Sequence, residues 1–242
     1  VVHLARQGVE IDLFAAAPST LLRRTSAERA FPSGVRLHWV ADRGLPLGDR
    51  RGTVVVDRIT NYPLWSCRVA RQILEQLEPS GRLRWPIVHA HGLAGWGLAR
   101  SAARRASASA LVLTTQGMEE VRSHQRMKRW AYAPFRACMR TTATRSDAVV
   151  ATDAALVPLL ERYLGIAPSD QVVIPNAVDP EQCRALGSRS RGRERLASYG
   201  LIDAAPVFLS VGRLEANKGF DVLTVSHKKY VSRVSRSGDI DL

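Results

Sequence analysis

Between Ile87 and Val211 the chain alternates short β-branched runs with longer stretches of helical spacing, and this rhythm restricts the fold more than any other feature. The runs are Ile87–His91, Ala110–Thr114, Asp147–Ala151, Gln171–Ile174 and Pro206–Val211. Between them lie helical patterns at Leu93–Ala106, Met118–Arg145 with a break at Pro134, Ala154–Leu164 and a helix start at Glu181–Leu186, and Lys218 opens another. Strands separated by helices cannot be joined as hairpins, so each connection crosses over and the strands pair in parallel. The expected class is therefore α/β, with a doubly wound parallel sheet covered on both faces.

Upstream the pattern is looser. Leu4–Gly8 reads as the last helical turn closed by glycine, Val9–Phe14 and Val35–Val40 as strands, and Gly44–Val56 as loop. Tyr62–Leu77 is expected to be a helix with Leu64, Val69, Ile73, Leu74 and Leu77 on one stripe, stopped by Pro79. The segment Asn176–Pro180 interrupts the rhythm with turn residues. It divides the chain into an expected first domain at 1–175, the start of a second at 176–223, and an atypical tail at 224–242.

Composition excludes several classes. With 45% hydrophobic and 24% charged residues spread along 242 positions, the chain can bury a core. No apolar run approaches the roughly 20 residues of a membrane span, and no charged-then-apolar secretion signal opens the sequence. Cys67, Cys138 and Cys183 are odd in number and far apart, which argues against a disulfide framework and for a reducing compartment.

In an open parallel sheet, ligands gather beyond the carboxyl ends of the strands, and three such ends are polar. The first is Val88-His89-Ala90-His91-Gly92. Residues two apart in a strand share a face, so the imidazoles point the same way into a cleft, or one of them caps a neighbouring loop. No nearby carboxylate or cysteine completes a metal site, and no metal is expected. The second end is Thr114-Thr115-Gln116-Gly117, where Gln116 either hydrogen-bonds a sugar hydroxyl or a carbonyl, without acting as a base, or serves the turn. In the third, Val211-Gly212-Arg213 is followed by Lys218-Gly219 at a helix start. Arg213 offers a planar fork for phosphate oxygens, Lys218 adds a point charge, and Gly212 allows close backbone approach. Either these groups grip a diphosphate without a metal, or they are solvated surface cations.

Three motifs in this order, Val88-His89-Ala90-His91-Gly92, Ile174-Pro175-Asn176-Ala177-Val178-Asp179 and Val211-Gly212-Arg213-Leu214-Glu215-Ala216-Asn217-Lys218-Gly219, resemble the retaining family-four glycosyltransferases of the GT-B fold. The resemblance spans about residues 1 to 223. It implies two Rossmann-like domains facing each other across a cleft, the second incomplete here. It also implies a nucleotide-diphosphate sugar as co-substrate, a sugar- or lipid-linked acceptor, and no further cofactor. On this likeness Gly212, Arg213, Lys218 and Gly219 bind the donor, with Arg213 and Lys218 catalytic. His91, Gly92, Gln116 and Gly117 line the acceptor side, and Asn176 sits at the hinge.

The chain departs from the family pattern at Gln116, where many relatives carry His, and at Ala177, where Gly is commoner. It also lacks the first strand and the downstream acidic motif, so a truncated member is expected. Its alternative is an inactive remnant that binds acceptor or membrane.

The formal charge of +13 bears on partners. Between Arg122 and Arg145 seven cations stand without an acid, interleaved with Trp130, Tyr132 and Phe135. A basic amphipathic helix with aromatics suits anionic lipid, so peripheral contact through 122–145 and a cytoplasmic location at the inner face of the membrane are expected. The remaining reading, a basic nucleic-acid-binding α/β protein, rests on net charge alone because no nucleic-acid module is recognisable.

Overall fold

A computed structural model of the chain describes residues 1–17, 31–41, 54–116, 118, 126–201, 210–211, 219–220 and 222–223. Helix α1 (Val2–Arg6) ends ahead of Gly8, whose φ of +84° is a left-handed step that carries no Cβ penalty in glycine. Strand β1 (Ile11–Ala16) pairs in parallel with β2 (Val35–Val40), placing Asp12 opposite Arg36 and Phe14 opposite His38.

Helix α2 (Val54–Leu74) is longer than the sequence pattern indicates. It begins in the stretch read as loop and carries Pro63 in its interior, where a proline normally marks a boundary. Its buried face is Ser66, Val69, Ala70 and Ile73, while Leu64, expected on the apolar stripe, is exposed. The reason lies in the next elements. β3 (Ile87–His91) leads through a 3-10 turn at Gly92–Gly95 into α3 (Trp96–Arg100), and Gly97 sits directly on the backbone of Ser66. The Ser66 hydroxyl accepts from the Gly97 N–H at 2.7 Å and donates to the Ala94 carbonyl at 3.0 Å. A larger residue at 66 would prevent that approach.

The helix expected over Leu93–Ala106 is broken. Ser101 is extended (φ −68°, ψ 128°) and caps α4 (Ala102–Ala106) by accepting from the Arg104 N–H at 3.3 Å. β4 (Ala110–Thr114) follows. Then come α5 (Arg126–Ala131) and α6 (Ala133–Thr144), with Pro134 in the first turn of α6, where a missing N–H costs nothing. β5 (Ala148–Ala151), α7 (Val157–Leu164) closed by left-handed Gly165, and β6 (Gln171–Val173) complete the run.

Strands β3, β4, β5 and β6 form one parallel sheet in that order, separate from the β1–β2 pair. The pairing registers Ala90 with Leu113 and Leu113 with Val149. One face therefore carries Val88, Ala90, Leu111, Leu113, Val149 and Ala151. It forms the core together with Val69, Leu98, Met139, Leu160 and Leu164. A Cβ on Gly95 would collide with Ala90 and crowd Thr142 of α6, which shows how closely the helical layer lies on this face. The opposite face is more open: Ile87 is 61% exposed, and His89 and His91 stand on the same side.

The chain divides into two compact units, Val1–Ala177 and Val178–Leu242. In the second, α8 (Pro180–Leu186) and α9 (Arg189–Ala197) are described. Helix α9 has no counterpart in the sequence reading because it buries no residue and so has no apolar stripe. All three cysteines are unpaired.

Candidate functional site

The carboxyl ends of β3 and β4 bring four polar side chains into contact. His89 and His91 project from one face of β3, with ring centroids 4.8 Å apart and planes at 26°, a stacked pair. His89 Nε2 lies 2.7 Å from the hydroxyl of Thr114, at the end of β4. His91 Nδ1 lies 2.7 Å from the amide nitrogen of Gln116. Both imidazoles are held below the ordinary histidine range. Burial is the main cause in each; the neighbouring His91 adds to it for His89, and the chain's amino terminus adds to it for His91. The pair is therefore neutral near pH 7, when each ring has one N–H to give and one nitrogen to accept.

Two glycine-like turns shape this end of the sheet. Gly92, at φ +57°, opens the 3-10 turn after β3. Gln116, two residues past β4, has φ +59° and is the single non-glycine residue at positive φ among those described. That conformation costs an ordinary L-residue about 1–2 kcal/mol. Beside it the Thr115 hydroxyl is buried without a hydrogen-bond partner among the described residues.

Of the other residues singled out from the sequence, Asn176 is exposed in the irregular stretch after β6. Gly219 adopts φ +69° at a turn with open space where a Cβ would stand. Gly117, Gly212, Arg213 and Lys218 lie outside the described residues. Residues 122–125 of the basic segment also lie outside them, whereas Met127 and Trp130 of α5 are 86% and 82% exposed.

One constellation escaped the sequence reading. The Asp12 carboxylate, 2% exposed, accepts from Arg36 Nε at 3.0 Å and from a terminal nitrogen of the same guanidinium at 2.9 Å. It also lies 2.6 Å from His38 Nε2 and accepts from the Trp85 indole N–H at 2.7 Å. The Arg36 fork, with help from His38 and Trp85, holds this carboxyl far below the usual carboxylate range against the opposing effect of burial. Phe14 completes the cluster, stacked on His38 at 4.6 Å and edge-on to Trp85 at 5.6 Å. The signal was present as an aspartate within the otherwise apolar run Ile11-Asp12-Leu13-Phe14. Because Trp85 lies two residues ahead of the start of β3, the cluster ties the β1–β2 pair to the larger sheet.

The described residues offer hydrogen-bond donors and acceptors at the strand ends, suited to oxygen-rich ligands. The profile of Glycosyltransferase Family 4 matches residues 1–182, three quarters of the chain. No curated protein matches the sequence. With a parallel α/β unit, polar strand ends and a family match over most of its length, the chain belongs to glycosyltransferase family 4.

Proposed function

We propose that this glycosyltransferase moves a sugar from a nucleotide-diphosphate sugar to an acceptor hydroxyl with retention of anomeric configuration. The observation that carries the proposal is the family match over 1–182 together with the His89, His91, Thr114 and Gln116 cluster at the carboxyl ends of adjacent parallel strands. In this reading His91, Gly92, Gln116 and Gly117 receive the acceptor. Arg213 and Lys218, with Gly212 and Gly219, hold the donor diphosphate, and Asn176 belongs to the link between the two parts. Two fixed cations at a departing diphosphate stabilise charge that grows in the transition state, an effect worth several kcal/mol in a preorganised site. No resident cofactor is needed.

Calorimetry with UDP and with GDP tests the donor half. Wild type is expected to bind one of the two, and Arg213→Ala to weaken that binding about tenfold or more, as loss of a charge-assisted bidentate contact does. Absence of heat with both nucleotides would leave an acceptor-binding remnant in place of an enzyme.

A second reading concerns location. Helix α5 displays Met127 and Trp130 to solvent within the arginine- and lysine-rich segment 122–145. Exposed apolar side chains flanked by cations suit the headgroup region of an anionic membrane, where a lipid-linked acceptor would be found. No helix among the described residues is long and apolar enough to cross a membrane.

A further inference from the structure

Gln116 occupies a backbone conformation that favours glycine, asparagine or aspartate. What the conformation provides is reach. The left-handed turn after β4 carries the Gln116 amide across to β3, where its nitrogen stands 2.7 Å from His91 Nδ1. The far side of His91 is stacked on His89, and His89 is held in turn by Thr114 at 2.7 Å. His91 is thus fixed by a ring on its face and an amide on one nitrogen, while the residue as a whole stays exposed. In a neutral imidazole the partner of one nitrogen decides which nitrogen carries the proton.

We propose that Gln116 is a positioning residue: its amide N–H donates to Nδ1 of His91 and locks that ring in the tautomer protonated at Nε2. The consequence rests on the acceptor-side reading of His91 given above. A ring locked in this way presents an N–H donor, and no proton-accepting nitrogen, to whatever binds beside it. His91 then orients the acceptor by donating to an oxygen lone pair, of a hydroxyl or a phosphate, and does not serve as the base that deprotonates the attacking hydroxyl.

Long-range proton–nitrogen correlation spectra of the full chain labelled with 15N-histidine read the tautomer directly, with His91 assigned by the signal lost in His91→Gln. In wild type Nδ1 of His91 is expected to be the unprotonated nitrogen. Gln116→Gly keeps the backbone turn and removes the amide, so the ring should relax to a mixture of tautomers. Gln116→Glu replaces the donor by a carboxylate, which should move the proton to Nδ1 and raise the pH at which the ring titrates. A wild-type ring protonated at Nδ1, or a tautomer unchanged in Gln116→Gly, overturns the proposal. The acceptor-side reading fails separately: it falls if the lock is lost in Gln116→Gly while the KM for a sugar acceptor stays at the wild-type value.

Discussion

Asp12 gathers a guanidinium, an imidazole and an indole around one carboxylate, and its folded-state acidity makes stability depend on pH. Its carboxyl titrates well below its ordinary value in the folded chain. The unfolded chain therefore takes up this proton first as pH falls. The contribution is complete at neutral pH and is lost progressively below about pH 5. His89 and His91 act in the same direction at higher pH: both are held below their ordinary value of about 6.5, so acidification through that range also favours unfolding. Asp12→Asn is expected to cost about 2–3 kcal/mol at pH 7, because it leaves the Arg36 fork and the Trp85 N–H without their anion. Urea midpoints from pH 7 to pH 4 should fall less steeply in Asp12→Asn than in wild type; parallel curves would contradict the assignment. None of this was legible from residue type alone. An aspartate in a strand announces a constraint, but its three partners lie 24, 26 and 73 positions away.

At the scale of elements, local chemistry fixed the strands better than the helices. Val35–Val40, Ile87–His91 and Ala110–Thr114 form strands with the expected bounds, because β-branched or alternating runs bordered by Gly, Pro and Ser have few alternatives. The helices depended on tertiary context. Ser101 has the side chain to start a helix as readily as to sit within one, and here it starts one. The buried stripe of α2 runs through Ser66 in place of Leu64, because α3 approaches at Gly97. An added Cβ at Gly97 would lie 2.6 Å from the Ser66 carbonyl oxygen, so Gly97→Ala is expected to destabilise by about 1–3 kcal/mol in denaturant titrations despite alanine's better helix propensity. Gly192→Ala in α9, where a Cβ meets nothing, serves as the contrast and should add about 0.5–1 kcal/mol of helix stability. Equal effects at the two glycines would refute the close-packing account.

For the whole molecule, the parallel α/β class followed from the alternation of elements, and the family from motifs spread along the chain. The positive φ at Gln116 and the network around it did not, since nothing in a Thr-Gln-Gly string distinguishes a strained turn from a relaxed one. On the peripheral-membrane reading, the net charge of +13 is expected to make association with anionic surfaces salt-sensitive. Vesicles containing phosphatidylserine are expected to sediment the protein at low ionic strength, and neutral vesicles to leave it in the supernatant. Trp130→Ala should reduce the bound fraction severalfold with no change in fold, as loss of an interfacial aromatic does. Equal sedimentation with both vesicle types would end the peripheral-membrane reading.

Strand β3 alternates between two tasks. Val88 and Ala90 turn toward the leucine-rich interior, and His89 and His91 turn the other way. The imidazoles therefore supply no side chain to that interior. Evolutionary change at positions 89 and 91 would rewrite the polar rim of the sheet and spare the foundation beneath it.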